Sequence, residues 1–329
     1  MVKTRERRIR RVQTGIALQA PRTMSPVTSD DYRTFRAAHD HVEIEEVRVD
    51  LKAPWSVTEV GPPASYKPET TTVWSFPDRG DWATHLGNYR GNWSPYIPRN
   101  LILRYTQPGD VVLDQMVGSG TTLVECKLLS RNAIGVDVNP DAVMVTRDRL
   151  GFPFRSLDKG YIPSKVHTYV GDARNLDLIP DDSIDLVATH PPYANIVSYS
   201  KERVAGDLSS VRRIDDFVQQ TLMVAREAYR VLKPGKHCAI LMGDTRRHRH
   251  FVPIAVRVMQ VFLEVGFVLR EDITKVQWKM KSTRERWGGS KYDFLLLAHE
   301  HLYVFRKLGS AESLSQFRES AKWWASPAP

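Results

Sequence analysis

The chain has 329 residues, 42% of them hydrophobic, with 47 lysines and arginines against 38 aspartates and glutamates, a formal charge of +9. That much apolar residue can bury one large core, which excludes a disordered chain, and the cationic excess favours a polyanionic partner. Cys126 and Cys238 stand far apart without ligand partners at a useful spacing, so no disulfide scaffold and no metal site is expected, in keeping with a reducing, cytoplasmic setting.

Residues 1–30 carry Lys3, Arg5, Arg7, Arg8, Arg10, Arg11 and Arg22 against Glu6, with little apolar periodicity, and read as a flexible basic arm. No long apolar run follows it, and no stretch of about 18 uncharged apolar residues occurs, so neither secretion nor a membrane partner is expected. Residues 31–90 read as an extension packed on the core, with valines alternating with charges over 40–51 as in a short strand. Residues 74–105 are rich in rings: Trp74, Phe76, Trp82, Tyr89, Trp93, Tyr96 and Tyr105 are interleaved with Arg79, Arg90, Arg99 and Arg104. Most of these rings suit core or lid packing, and a minority suit the wall of a site for a flat ligand ring.

Residues 91–308 read as the main domain. Leu101, Ile102 and Leu103 predict a helix starting after Pro98. Short apolar runs over 111–114, 133–137, 165–170, 183–189 and 237–242 predict buried parallel strands. Helices are expected through 129, over 140–150, 217–232 and 252–265, with Pro140 in a first turn. Residues 267–279 and 294–305 suit a closing antiparallel pair, and 309–329 form a tail containing Trp323 and Trp324. The alternation predicts an α/β fold, a doubly wound, mostly parallel sheet with an antiparallel last strand.

Two loops stand out. Asp114-Gln115-Met116-Val117-Gly118-Ser119-Gly120-Thr121-Thr122 turns from a strand into a helix, where glycines let backbone N–H groups and a positive helix end approach a ligand. Asp137, about 20 residues on, ends the next strand, where a carboxylate can accept from ribose hydroxyls. Asp172, followed by Ala173, comes after the third strand and can cap an adenine amino group. A dinucleotide loop would carry a third glycine where Leu123 stands, which lowers the NAD reading and leaves S-adenosylmethionine, a cofactor with no pyrophosphate to cradle. The second loop is His190-Pro191-Pro192-Tyr193, at the end of the fourth strand.

Residues 114–121 resemble the D-P-F-x-G-S-G-T motif of the cytosine-N4 and adenine-N6 DNA methyltransferases, and residues 190–193 are similar to their S-P-P-Y or D-P-P-Y motif. The resemblance continues through Gly135-Val136-Asp137, Leu232-Lys233-Pro234-Gly235, Gln277-Trp278-Lys279 and His299-Glu300-His301-Leu302-Tyr303-Val304-Phe305. It implies a Rossmann-like class I methyltransferase fold, S-adenosylmethionine as cofactor, and a base flipped out of the duplex. By the same likeness Gly118, Gly120 and Thr121 would surround the methionine portion of the cofactor, and Tyr96, Asp114, Met116, Ser119 and Thr122 would also bind the cofactor. Asp137 would take its ribose, and Asp172 and Ala173 its adenine. Gln115 and Met116 replace the motif's Pro and Phe, and His190 replaces Ser, Asp or Asn.

An exocyclic amine on a base is a poor nucleophile because its lone pair is delocalised into the ring. Acceptors at His190 and the Pro191 carbonyl can draw its N–H bonds out of plane, Pro192 stiffens the loop, and Tyr193 offers a stacking face. A neutral His190 can accept such a hydrogen bond and then take the released proton. Arg246, Arg247 and Arg249 after the fifth strand, and Lys279, Lys281, Arg284, Arg286 and Trp287 in the last loop, suit phosphate contact and base stacking. The expected activity is therefore DNA amino-methylation of the restriction-modification kind, cytosine-N4 ahead of adenine-N6. The rivals are an RNA guanine-N2 methyltransferase and a non-catalytic nucleic-acid binding protein on the same fold.

Overall fold

Short apolar runs bounded by turn residues become the strands of one nine-stranded sheet, and the amphipathic segments between them become helices on its two faces. The computed structural model describes residues 23–324 apart from 45, 90, 155–159, 193–205, 212 and 279–292. In chain order its elements are β1 (Ser25–Val27), α1 (Ser29–Ala38), β2 (His41–Ile44), β3 (Val47–Asp50), β4 (Val73–Ser75), α2 (Tyr96–Tyr105), β5 (Val111–Asp114), α3 (Thr121–Leu128), β6 (Asn132–Asp137) and α4 (Pro140–Leu150). They continue as β7 (Val166–Val170), β8 (Ile184–Thr189), α5 (Ile214–Val231), β9 (Leu232–Met242), β10 (Thr245–Arg247), β11 (His250–Val252), α6 (Ile254–Val265), β12 (Val268–Val276) and β13 (His299–Arg306).

The sheet order is β1-β7-β6-β5-β8-β9-β13-β12-β4. The five strands from β7 to β9 are mutually parallel, β13 runs antiparallel between β9 and β12, and β1 is antiparallel to β7. This is a Rossmann-like, doubly wound arrangement. From β5 the chain winds outward through β6 and β7, then returns to β8 on the other flank and proceeds to β9. The topological switch point lies between β5 and β8, so the loops that follow these two strands open side by side at one sheet edge.

Alternation along the strands sends successive side chains to opposite faces. Leu113, Val187, Ile240, Tyr303 and Phe305 pack beneath α5 and α6, with Phe217, Val224, Val258 and Phe262. Val112, Leu186, Ala188, Ala239, Leu241, Leu302 and Val304 pack beneath α2 and α3, with Ile97, Leu101 and Leu123. Trp74 and Trp93, from the segment preceding α2, complete that second layer. Leu123, at the position of the absent third glycine, lies against Gly135 of β6. A Cβ built there would fall 2.8 Å from Leu123 Cδ2, so the close helix–sheet approach is granted by the strand instead of the helix.

The structure differs from the sequence expectations in several places. Ser25–Val27, assigned to the basic arm, joins the sheet edge beside β7, and α1 follows under a capping box formed by Thr28 and Asp31. Helix α2 begins at Tyr96, before Pro98; a proline is tolerated in a first turn, whose N–H groups have no intrahelical partner. Val73–Ser75 adds a parallel edge strand to β12. The valine-and-charge stretch forms the β2/β3 hairpin, which packs on Ala142 and Val145 of α4. The tail is docked, with Trp324 Nε1 donating to Glu264 at 2.9 Å. The described residues contain no helix long and apolar enough to cross a membrane.

Candidate active site

The glycine loop is held by backbone amides converging on two carboxylates. Gly118 N–H donates to Asp137 Oδ2 at 2.9 Å and Asn139 N–H to Asp137 Oδ1 at 2.9 Å. Burial, reinforced by nearby Asp207, pushes the Asp137 carboxyl up to about 6. Gly120 is the N-cap of α3 with φ 81°, and it supplies no side-chain cap, so the first-turn amides point into the loop. A Cβ at Gly120 would meet Thr146 Cγ2 of α4 at 2.9 Å, and Thr146 in turn donates to the Gly118 carbonyl at 2.8 Å. Ser119 and Thr121 are buried in the same turn, Ser119 Oγ lying 3.5 Å from Asn92 Nδ2.

Asp114 does something the sequence does not reveal. Its carboxylate, 3% exposed, accepts from Thr122 Oγ1 at 2.5 Å, from Met116 N–H at 3.2 Å and from Thr189 Oγ1 at 3.0 Å. Thr189 immediately precedes His190, so one carboxylate fastens the glycine loop to the end of β8. Burial raises this carboxyl to about 6, against the lowering effect of its three donors.

The other residues assigned to the cofactor occupy different surroundings. Both oxygens of Asp172 are engaged by Arg174, whose Nε and backbone N–H reach Oδ1 at 2.9 Å while Nη2 binds Oδ2. Ala173 is buried, and its carbonyl receives Gln115 Nε2 at 3.4 Å. Gln115 Oε1 finds no partner among the described residues. Met116 packs against the main core. Tyr96 belongs to an aromatic cluster, its ring centroid 5.1 Å from Phe76, 4.8 Å from Trp82 and 5.4 Å from Tyr66.

At the second pole, Pro191 is buried and His190 and Pro192 are half-buried at the end of β8, while Tyr193 lies outside the described residues. The His190 ring stacks on Trp93, centroids 5.9 Å apart and planes 18° from parallel. Burial lowers His190 to about 4, so the imidazole is neutral at ordinary pH. Trp93 is held in turn: Arg79 Nη2 donates to its carbonyl at 3.0 Å, and burial lowers the Arg79 guanidinium to about 10. The segment is moored to α3 by buried Glu125, which accepts from Trp82 Nε1 at 2.7 Å, His85 Nε2 at 2.8 Å and Arg99 Nη1 at 2.8 Å. Within the aromatic stretch of the sequence, Trp93 is the ring that reaches His190, a contact spanning 97 positions that no local pattern marks.

The arginines after β9 stand on the β10/β11 hairpin, at the same sheet edge as both loops. Arg246 donates to the Leu295 carbonyl at 3.0 Å and lies 5.3 Å from the Phe294 ring centroid; Arg249 faces Asp293 at 3.5 Å, and Arg247 is exposed. Lys279, Lys281, Arg284, Arg286 and Trp287 lie outside the described residues. Among the described residues no cluster of three or more His, Cys, Asp or Glu could hold a metal ion.

A doubly wound sheet with a glycine loop after its first central strand, an acid after the second and a Pro-Pro loop after the fourth defines a class I methyltransferase fold. Residues 25–148 and 184–323 match the family model of the N6/N4 DNA methylases, and the chain belongs to that family. It is 41% identical over 95 residues to the type II methyltransferase M.HpaI of Haemophilus parainfluenzae, covering 27% of this chain and 28% of that one. To the tRNA (guanine(10)-N2)-dimethyltransferase of Methanothermobacter thermautotrophicus it is 30% identical over 116 residues, covering 35% and 32%. In both cases the chain spans about a third or less of the relative's length. A solved S-adenosylmethionine-dependent methyltransferase from Methanosarcina mazei is 15% identical with a TM-score of 0.44, covering 64% of this chain and 98% of that one.

Proposed function

We propose that the chain is an S-adenosylmethionine-dependent DNA methyltransferase acting on an exocyclic amino group of a flipped base, cytosine-N4 ahead of adenine-N6. One observation carries the reading. The glycine loop and residues 190–192 open side by side at the switch point, fastened together by Asp114 through Thr122 and Thr189. Membership of the N6/N4 family supports it. The residues fit the cofactor: each Asp137 oxygen accepts one backbone N–H and keeps a lone pair for a ribose hydroxyl, and α3 presents first-turn amides without a side-chain cap. When bound, S-adenosylmethionine supplies an electrophilic methyl group.

The chain's own residues supply orientation and a proton acceptor. Neutral His190 accepts an N–H of the target amine, with the Pro191 carbonyl as a second acceptor, so the amine lone pair turns toward the methyl carbon. Trp93 keeps the imidazole plane fixed, and Tyr193 offers the base a stacking face. Arg246, Arg247 and Arg249 contact phosphates, as do the cations of residues 279–292. The preference for cytosine rests on Thr189-His190-Pro191-Pro192-Tyr193 differing at one position from a Thr-Ser-Pro-Pro-Tyr form. A type II restriction-modification role follows the relative named above.

The likeness to the tRNA guanine-N2 enzyme motivates a second reading, transfer to guanine N2 in RNA. Incubation with labelled S-adenosylmethionine and unmodified DNA or RNA, followed by digestion to nucleosides, tests both. N4-methylcytosine or N6-methyladenine from DNA is the expected product. N2-methylguanine from RNA alone supports the second reading, and cofactor binding without transfer to any nucleic acid leaves a binding protein.

A further inference from the structure

One sheet face changes character at its C-terminal edge. Leu186 and Ala188 of β8, Leu302 and Val304 of β13, and Ile273 of β12 are apolar and buried under α2, Trp74 and Trp93. The next residue along each row is polar: His190 after Ala188, Glu300 before Leu302, and Lys275 after Ile273. Lys275 and Glu300 are directly opposite partners in the β12/β13 ladder, and Lys275 Nζ lies 2.9 Å from Glu300 Oε2. Glu300 is 6% exposed. A buried ion pair is weak evidence for stability, because an apolar pair of equal volume often serves as well. Placed on the His190 face, this one has another use.

The proposed methyl transfer is the basis for this step: we propose that Lys275 and Glu300 are the charge partners of His190, Glu300 steadying the imidazolium formed when the ring takes the amine proton and Lys275 opposing that charge. In the reaction the amine nitrogen forms a bond to the methyl carbon as the carbon–sulfur bond breaks, its electron pair passing to sulfur. The N–H bond then breaks, its pair returning to nitrogen and its proton going to a His190 ring nitrogen, from which water removes it. Charge thus appears on His190 after transfer and leaves again. The groups that act on the ring are Glu300 from β13, which favours its charged form, Lys275 from β12, which opposes it, and the Gly91 backbone, hydrogen-bonded to it. Trp93 contributes an uncharged face, and Asp114 lies beyond Thr189, whose hydroxyl it accepts. Lys275 and Glu300 are positioning residues, since neither is placed against the base.

Full-length Lys275→Met, Glu300→Gln and the double variant test the assignment. The His190 ring resonance, identified by its loss in His190→Gln, is followed by NMR against pH. Its midpoint should rise in Lys275→Met and fall in Glu300→Gln relative to the parent; movement in one direction for both, or none, overturns the proposal. The double variant removes both members of the ion pair together and should stay folded, with kcat lowered about tenfold and KM for S-adenosylmethionine within about twofold. Parental kcat in the folded double variant also overturns it. If the parent protein methylates no nucleic acid, the proposed function fails, and the NMR midpoints still decide whether these residues set the charge of His190.

Discussion

The two loops that open at the switch point stand one strand apart and are stabilised by different means. The glycine loop is tied by hydrogen bonds from its own backbone and hydroxyls to Asp114 and Asp137, so its shape is written within residues 114–146. The end of β8 is held from a distance, by Trp93 stacked on His190 and Arg79 behind Trp93. Binding a common cofactor asks for a compact, locally determined cradle. Handling one particular base asks for parts that can be varied one at a time, and a pole assembled from separate segments permits that.

If the division holds, damage at one pole should leave the other's function intact. The largest separation is expected from His190→Ala, which should lower kcat about a thousandfold while the Kd for S-adenosylmethionine, measured by calorimetry, changes little. Asp137→Asn should do the reverse: removing charge-assisted acceptors weakens cofactor binding about 10- to 100-fold, with kcat at saturating cofactor retained. The pH dependence should divide in the same way. Asp137 is raised, so it is protonated below about pH 6 and cofactor affinity should weaken about tenfold for each further unit of fall. His190 is lowered to about 4 and stays neutral through that range, so its own titration should leave kcat at saturating cofactor level, and a fall in kcat near pH 6 belongs to Asp114, whose carboxyl is also raised to about 6. Thr189→Val cuts the Thr189–Asp114 hydrogen bond that joins the poles and should cost each about fivefold, roughly 1 kcal/mol; an effect confined to kcat would break the idea of a shared anchor. The smallest effect belongs to Arg247→Ala on the β10/β11 hairpin. DNA affinity should fall a few-fold, independent of sequence, with the slope of log affinity against log salt reduced by about one.

Most of the parallel part of the sheet was legible in the sequence because its strands hold short apolar runs bounded by glycine, proline or charge, although β9 starts at Leu232, before the expected 237, and takes in Lys233, Pro234 and Gly235. Helix α4 could be bounded to the residue, since Asn139 caps it and Pro140 opens it. The glycine loop was legible because its conformation demands its glycines. Strands β1 and β4 were not: three residues each, they are strands by virtue of a neighbour and not of a pattern. At the site, the aromatic stretch was visible as a source of rings for a ligand wall, but the stacking of Trp93 on His190 was not, since it joins residues 97 positions apart. Arg174, two positions from Asp172, was visible as a residue but not as the partner of both its oxygens. Lys275 and Glu300 were hidden for another reason. Each lies inside a sound strand pattern, and what distinguishes them is the cross-strand register that brings them together.

The placement of β4 has a consequence for the order in which the protein is made. Residues 73–75 pair with residues 274–276 of β12, and β12 joins the sheet only through β13, which ends at Arg306. Trp74 and Trp93 share their cluster with Ile273, Leu302 and Val304. A growing chain therefore carries its early tryptophans for some 200 residues of synthesis before the β12 and β13 part of their packing surface exists. The glycine loop, β8 and residues 190–192 are all made well before that. A chain cut before β12 keeps Trp93, the glycine loop, β8 and residues 190–192 but loses Lys275 and Glu300, so such a truncation separates the two loops from the charged face beside them.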